Sequence, residues 1–520
     1  MPALQHSAPL SYAQERLWFI DAATNGGRTY NVPLLLYWTE PIDVPALVTA
    51  LAAVVARHEV LRTTYELHDS GPVQVVHPPG PVPVEVLAAP GDRRRIHAEA
   101  LRRGRDPFDL AGAPPVRCVV WQGGPDGDAV LLAVHHIAID GWSVGPLFAE
   151  LAAAYAAARV GQSPDLGPMP LQYRDFAQRE RAAGAEPEMG RHLDRRVDEL
   201  SRVDGDLALA GRRPATGTGD RPGIEHVFTV PAPVWQRVRR FATAVRATPF
   251  VVLLAAFQAV LKRWSERDEF IVGTVSANRT DPEFERLVGF FVNTVPLLCT
   301  VPAGVSFREL CALVRKESFA ALTHQRLPYE KVLAATRSRG GGDLVTVVLA
   351  LQNMPAPAYP VPPPWTKPLV LPNGTAKYDL MLIFEESGGE LTGTVELDTG
   401  RYPVDLAARL AENVAVLLEA ALAEPDRPVA ALPVTRRGTG TVLCGPTRKH
   451  AARTVLDLLD DRFATADRDA PAVSVRDETV SWAELDGWAS ALAAGLSDPG
   501  LVPVLAARGG GMVAAWLGLL

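Results

Sequence analysis

AVLLAVHHIAIDGWS, Ala129 to Ser143, is an apolar run that ends in two adjacent histidines, an aspartate and a glycine. Such a run reads as a buried strand with a polar exit. Side chains alternate faces along a strand, so Val130, Leu132, Val134 and His136 share one side while Leu131, Ala133 and His135 share the other. The histidines then point opposite ways, which suits one supporting imidazole held in packing and one working imidazole open to a cleft. Asp140 and Gly141 turn the chain. Ser143 is placed to cap a helix over 144–159, with Pro146 tolerated in its first turn and Leu147, Leu151 and Tyr155 on one stripe.

Working outward, 520 residues exceed one core and predict two or three domains. A hydrophobic fraction of 48% with 21% charged residues describes a globular chain. The net charge of -7 gives no general electrostatic reason to bind nucleic acid, and Arg93, Arg94 and Arg95 read as a solvated helix face. Cys118, Cys299, Cys311 and Cys444 lack metal-ligand spacing, so no metal is expected and the thiols suit a reducing cytoplasm. Neither a leader nor a membrane span is legible, and a cytoplasmic location is expected.

On the N-terminal side, PLSYAQERLWFID has Ala13, Leu17 and Ile20 at helical spacing. Asp43 can cap a helix carrying Leu47, Leu51, Val54 and Val55, which runs into RHEVLRTTY. Strands over 62–67 and 73–77, a helix around 93–105, and a hairpin of 116–122 with 129–136 predict an α/β layer, mainly one sheet with helices on it. Residues 178–222 are polar, rich in Arg, Gly and Asp, and read as a connection between two lobes.

The second half repeats the style of the first. Strands are expected near 225–230 and 270–275, and a helix is opened by Thr248 as cap with Pro249 next. Ser306 and Glu309 form a capping box. The apolar stretch LVGFFVNTVPLLCTV, 287–301, is broken by Asn293 and Thr294, which a core strand would not need. Pro-rich residues 355–368 are expected to form an extended crossover, KYDLMLIFEE and LTGTVELD a hairpin, and 405–424 a helix that Pro425 ends.

With these residues in view, the chain resembles the condensation domains of nonribosomal peptide synthetases, whose HHxxxDG signature is met by His135, His136, Asp140 and Gly141. Related CoA-dependent acyltransferases and epimerisation domains carry versions of it. Further motifs of the condensation family follow in order. They are SxAQxRLW at Ser11, Ala13, Gln14, Arg16, Leu17 and Trp18; RHExLRT at Arg57 to Thr63; and Tyr173, Asp175, Phe176 and Ala177 of a fourth motif without its usual tryptophan. Gly289, Phe291, Val292, Asn293 and Thr294 match a fifth, and His324, Gln325, Pro328 and Glu330 a sixth, with Arg326 where an acid is common and Tyr329 where Phe is usual. The seventh, RSRGGGDL, is weak.

The resemblance implies an α/β fold of two chloramphenicol-acetyltransferase-like lobes, 1–177 and 223–430, joined by 178–222 into a V-shaped pseudo-dimer with a central tunnel. Residues 431–452 read as a linker, and 453–520 resemble the start of an adenylation domain that stops before its ATP-binding motifs. Donor and acceptor peptidyl carrier proteins would present thioesters on 4'-phosphopantetheine arms, with no cofactor bound to this chain itself. Since the lobes begin close to Met1, the donor carrier is expected from an upstream synthetase subunit or as a free acyl carrier in trans.

The resemblance also implies roles. His136 orients the acceptor amine and takes its proton, His135 supports, and the Gly141 amide helps hold an oxyanion. Asp140 is architectural and pairs with Arg279 of SANRT, while Arg62 is an internal anchor. Trp142, Ser143 and Asn293 are tunnel candidates. An epimerisation domain is disfavoured because it follows a carrier, and a heterocyclisation domain would replace the histidines. A catalytically silent recruitment module, which binds a tailoring enzyme, usually loses the second histidine or the glycine, but the altered sixth and seventh motifs keep it as the alternative.

Overall fold

The computed structural model describes residues 6–24, 26–69, 71–214, 219–352, 361–366, 368–436, 454–475, 478–496 and 502–519. The described residues up to 436 form one compact unit and those from 454 another. Cys444, residues 437–452 of the expected linker, and the first part of the Pro-rich crossover lie outside the described residues.

Asp128–His135 is the middle strand of a five-stranded sheet and is buried along its whole length. It pairs antiparallel with Asn31–Trp38 on one side and Val116–Gln122 on the other; Val84–Ala88 adds parallel beyond. This sheet is narrower than the single layer expected. Thr63–His68 and Gly71–Val76 do form a hairpin, but it pairs with His6–Pro9 in a separate three-stranded sheet. Asp43 caps its helix as expected, accepting the Ala46 N–H at 3.0 Å.

The second lobe is built on a six-stranded sheet whose order is Asn293–Thr300, Glu269–Ser276, Val347–Gln352, Leu380–Ser387, Glu390–Asp398, Gly223–Val230. Its two faces read off the strand period. Phe270, Val272, Val347, Leu349, Leu380 and Leu382 face a large core, under helices Ala232–Ala244, Pro249–Ser265, Phe307–Leu322 and Asp405–Ala423. Ile271, Val348, Ala350 and Met381 face a smaller cluster with Val197, Leu200 and Tyr329. The helix Pro249–Ser265 is buried from Val251 to Leu261, the signature of a core helix. Among the described residues no single helix is long and apolar enough to cross a membrane.

The described residues of the connection, 178–214 and 219–222, carry helices and core contacts. Tyr173–Gly184 and Pro187–Leu200 are helices, Val197 and Leu200 pack under the second sheet, and Leu207 and Leu209 enter its main core. Met189, Leu193, Val197 and Leu200 stand at helical spacing within a charged run, so a narrow apolar stripe suffices.

The described part of the crossover turns at 363–366 instead of running straight. Trp365 drops into the first lobe's core against Trp38, ring centroids 5.1 Å apart, and Leu369–Val370 then pairs antiparallel with Leu34 and Leu35 at the edge of the first sheet. The second unit pairs Pro471–Val475 with Glu478–Ser481 beside helices Val455–Thr465, Trp482–Ala494 and Gly510–Leu519. Val480, Leu485 and Ala514 form its buried centre, and Leu458, Leu505 and Trp516 stay exposed.

Candidate active site

The strand ends at His135, and His136 opens a short 3-10 turn, His136–Ala138, so this turn and not strand alternation alone separates the two rings. His135 is 1% exposed, packed edge-on to Phe108 at 5.9 Å between ring centroids, and its Nδ1 accepts the Ile137 N–H at 3.1 Å. The half-buried His136 packs against Phe290 at 5.0 Å, and its Nδ1 lies 2.6 Å from the Ile139 carbonyl oxygen. A carbonyl only accepts, so Nδ1 carries the proton and Nε2 is left with its lone pair. Gln14 of the opening motif donates to the Ile137 carbonyl at 3.2 Å and pins the turn from beneath.

Asp140, not Ser143, caps the following helix, which begins at Gly141. Its carboxylate lies three residues ahead of the Ser143 N–H and accepts it at 2.8 Å, the usual geometry for an aspartate N-cap. The same carboxylate takes the Phe291 N–H at 3.0 Å and Arg279 Nη2 at 3.1 Å. Asp140 and Arg279 are 0% and 1% exposed at their side chains. The guanidinium also donates to the Leu287 carbonyl at 2.7 Å, to the Ser143 hydroxyl at 2.7 Å and to the Phe284 carbonyl, with the Phe291 ring 4.0 Å away. Burial pulls Arg279 below its ordinary pKa while Asp140 opposes that pull. The expected ion pair thus ties the motif to the second lobe.

A cavity of about 270 Å³ lies above this pair, lined from the first lobe by Arg16, Tyr30, His136, Gly141 and Trp142. The second lobe contributes an apolar wall, including Val275, Phe290 and Met381, together with Thr294, Lys377 and Tyr378. Gly141 is exposed here as the first helical residue, whose N–H has no carbonyl one turn back to bond. Trp142 is a wall residue, its indole N–H donating to the Glu285 carbonyl at 3.0 Å.

Two expected tunnel residues are elsewhere. Ser143 is fully buried, and its hydroxyl is spent on Asp140, Arg279 and Gly289. Asn293 is 6% exposed, donates to the Gln325 and Leu327 carbonyls at 2.7 Å each and accepts the Tyr329 N–H at 3.0 Å. A buried amide must satisfy its own hydrogen bonds, so Asn293 fastens the sixth motif to the sheet and leaves its neighbour Thr294 to face the cavity.

The remaining motif residues explain themselves as supports. Arg62 sits away from the cavity and donates to the His77 and Ala56 carbonyls, joining a helix end to the hairpin. His58 bonds Glu150 at 2.7 Å inside the first lobe. Tyr173 donates to the Phe290 carbonyl at 2.6 Å, and a Cβ on Gly289 would fall 2.0 Å from the Tyr173 ring, so that glycine permits the lobe contact. Arg326 makes a surface pair with Asp281, and Tyr329 lies below the Arg16 guanidinium; neither departure from the sixth motif reaches His136.

Sequence reading missed Tyr30, Lys377 and Tyr378. The only trace was a lysine and a tyrosine immediately ahead of the apolar DLMLIF run. Among the described residues no group of His, Cys, Asp and Glu is placed to hold a metal ion.

Burial, with His136 and Arg117 nearby, pushes His135 down to about 3, and burial with Lys377 nearby pushes His136 down to about 4. Both groups are neutral when folded, whereas the unfolded chain protonates them below about pH 6.5. The unfolded state therefore binds more protons there, and stability rises with pH. The contribution is complete above about pH 6.5 and is lost as pH falls toward about 4 for His136 and about 3 for His135. Thermal unfolding by circular dichroism is expected to show a midpoint that drops across this window, less so in a His135→Asn variant; a flat midpoint would contradict it.

The sequence matches the Condensation domain family over residues 4–440. It is 32% identical to phosphinothricin tripeptide synthetase PhsC of Streptomyces viridochromogenes, over 95% of this chain and 47% of PhsC. It is 34% identical to the isonitrile lipopeptide synthase of Mycobacterium tuberculosis, over 95% of this chain and 21% of that protein. The chain therefore spans less than half the length of these curated relatives. Among solved structures, the X-domain from teicoplanin biosynthesis superposes with a TM-score of 0.73 at 26% identity, covering 83% of this chain and 99% of the X-domain. That X-domain has also been solved in complex with OxyB.

Proposed function

Because the chain belongs to the condensation-domain family, we propose that it joins cargoes carried by two carrier proteins through an amide bond. The observation that carries the reading is the His136 Nε2 lone pair, left free by the Nδ1 bond to Ile139 in a cavity walled by both lobes. The acceptor amine attacks the donor thioester carbonyl; the C–N bond forms, the C–S bond breaks, and the amine's proton leaves with the released thiol of the donor's phosphopantetheine arm. The amide stays on the acceptor carrier.

An imidazole held near 4 is too weak a base to keep the proton. It accepts a hydrogen bond from the amine, aligns it, and passes the proton to the departing sulfur as the tetrahedral intermediate collapses. The Gly141 N–H, at the positive end of its helix, is placed to meet the oxyanion. Holding both thioesters in line contributes on the order of 7 to 11 kcal/mol, more than the ~10²- to 10⁴-fold of a positioned base. The pair Asp140 and Arg279 fastens the start of the helix that carries Gly141 to the second lobe. The reading extends to a cytoplasmic chain that receives its donor on a carrier protein, with 453–520 as the opening segment of an adenylation domain.

The test is intact-protein mass spectrometry of an aminoacyl-loaded carrier after mixing with this chain and an acyl- or peptidyl-loaded carrier. A mass gain equal to the donor cargo on the acceptor is expected. The X-domain's complex with OxyB supports a second reading, a module that recruits a tailoring enzyme. No transfer across a varied donor panel, together with binding of a partner other than a carrier protein, would favour it. Retention of His136 and Gly141 in the cavity wall weighs toward condensation.

A further inference from the structure

The cavity has a charged wall that amide formation as described leaves unused. Lys377 precedes the strand Leu380–Ser387 and lines the cavity beside Arg16 and His136. Its ammonium is 3.4 Å from Glu396 Oε2, while Glu396 Oε1 accepts the Lys377 backbone N–H at 2.7 Å. Glu396 is 3% exposed and does not line the cavity. A second pair, formed between the lobes, repeats the arrangement: Arg16 of the first lobe faces the cavity, with Glu330 of the second behind it at 3.4 Å.

In both pairs the cation stands in front and the carboxylate behind. Two ion pairs oriented in this way turn their positive ends toward the space where the reaction occurs. The other titratable groups around Lys377 are His136 and Tyr30 from the first lobe and Tyr378 from the second, with Glu225 on the neighbouring strand beyond Glu396. Tyr30 is kept in its neutral phenol form by burial. Asp140, which precedes the lining residue Gly141, is already paired with Arg279. Among the described lining residues no carboxylate offsets the two cations.

We propose that Lys377, held by Glu396, keeps the acceptor's attacking amine in its free-base form inside the cavity. This rests on the condensing reading above and adds a group outside the family motifs to it. An α-amino group ordinarily titrates near about 7.7 to 8.0, so much of it is protonated and non-nucleophilic at neutral pH. A like charge nearby disfavours the ammonium form, and in a confined, poorly solvated space the effect is stronger than in water. The same field acts on the imidazole, where Lys377 stands next to burial among the causes that hold His136 down. An amine delivered as the free base needs only alignment and a proton acceptor of low basicity, which is what His136 offers.

The experiment is single-turnover transfer between loaded carriers, followed from about pH 5.5 to about pH 9 for the whole chain and for Lys377→Met, Lys377→Arg and Glu396→Gln. Lys377→Met is expected to move the acidic limb of the rate profile up by about one unit, so transfer falls roughly tenfold near about pH 6 and less than about twofold near about pH 9. Lys377→Arg keeps the limb in place. Glu396→Gln removes the charge behind the lysine and moves the limb down; it carries the test alone if Lys377→Met does not fold. A limb that stays put in Lys377→Met and Glu396→Gln, or a loss of equal size at every pH, overturns the proposal. Absence of transfer by the unaltered chain overturns the condensing reading and this proposal with it, whereas normal transfer with an unmoved limb overturns this proposal only.

Discussion

Replacing His136 with alanine is expected to slow carrier-to-carrier transfer by ~10²- to 10⁴-fold while the unfolding midpoint stays close to that of the parent chain. The ring opens onto the cavity and is held by the Nδ1 bond to Ile139 and by edge contacts with Phe290 and Tyr30, so its removal deletes the Nε2 acceptor while the backbone bond that closes the turn remains. The ion pair of Asp140 with Arg279 does not involve it. The loss stops short of the full rate enhancement because two thioesters held in line retain an advantage on the order of 7 to 11 kcal/mol. His135→Ala is the informative contrast. That ring is enclosed beside Phe108 and Tyr30, so truncation leaves a void and an unpaired Ile137 N–H, and stability falls first. Single-turnover mass spectrometry paired with thermal melts separates the two. Near-parental transfer by His136→Ala would remove the imidazole from the chemistry.

Asp140→Ala is expected to destabilise the larger unit by about 3 to 5 kcal/mol, a large share of an ordinary domain's stability. The change leaves the Arg279 guanidinium buried without its counter-charge, takes the cap from the helix Gly141–Arg159, and orphans the Phe291 N–H. Arg279→Ala is expected to cost less. The carboxylate it abandons still accepts from the Ser143 N–H and hydroxyl and from the Phe291 N–H. Urea unfolding of both single variants and the double variant measures this asymmetry and the coupling between the two residues. Losses below about 1 kcal/mol in both single variants would mean that the pair is not the fastening described. Since activity falls along with the fold here, an inactive Asp140→Ala chain says nothing of a catalytic carboxylate.

The motif strand, its neighbours and the main helices were legible because their periods are strong and their caps are explicit: Asp43, Thr248 and the Ser306–Glu309 box each sit where the helix begins. The contest between Asp140 and Ser143 was harder. Both are good caps, and only the fold reveals that Ser143 is consumed by contacts across to Gly289, leaving Asp140 to start the helix one turn earlier than expected. Asn293 and Ser143 share one lesson. A polar residue in an apolar run can face a cavity or satisfy backbone from a distant loop, and sequence spacing does not distinguish these. The partnership of Arg279 with Asp140 followed from the family resemblance rather than from spacing, since 139 positions separate the two residues. Lys377 escaped notice because a lysine ahead of a strand ordinarily points to solvent.

The pairing of Leu369–Val370 with Leu34 and Leu35 bears on how the chain is made. The strand Asn31–Trp38 leaves the ribosome roughly 330 residues before the segment that covers its outer edge, an interval of about 20 to 70 s at usual synthesis rates. For that time the first lobe carries an unpaired sheet edge and a hole where Trp365 will sit. The amino-terminal half cannot be finished as it emerges; it waits, edge open, for the other half to be synthesised and close it.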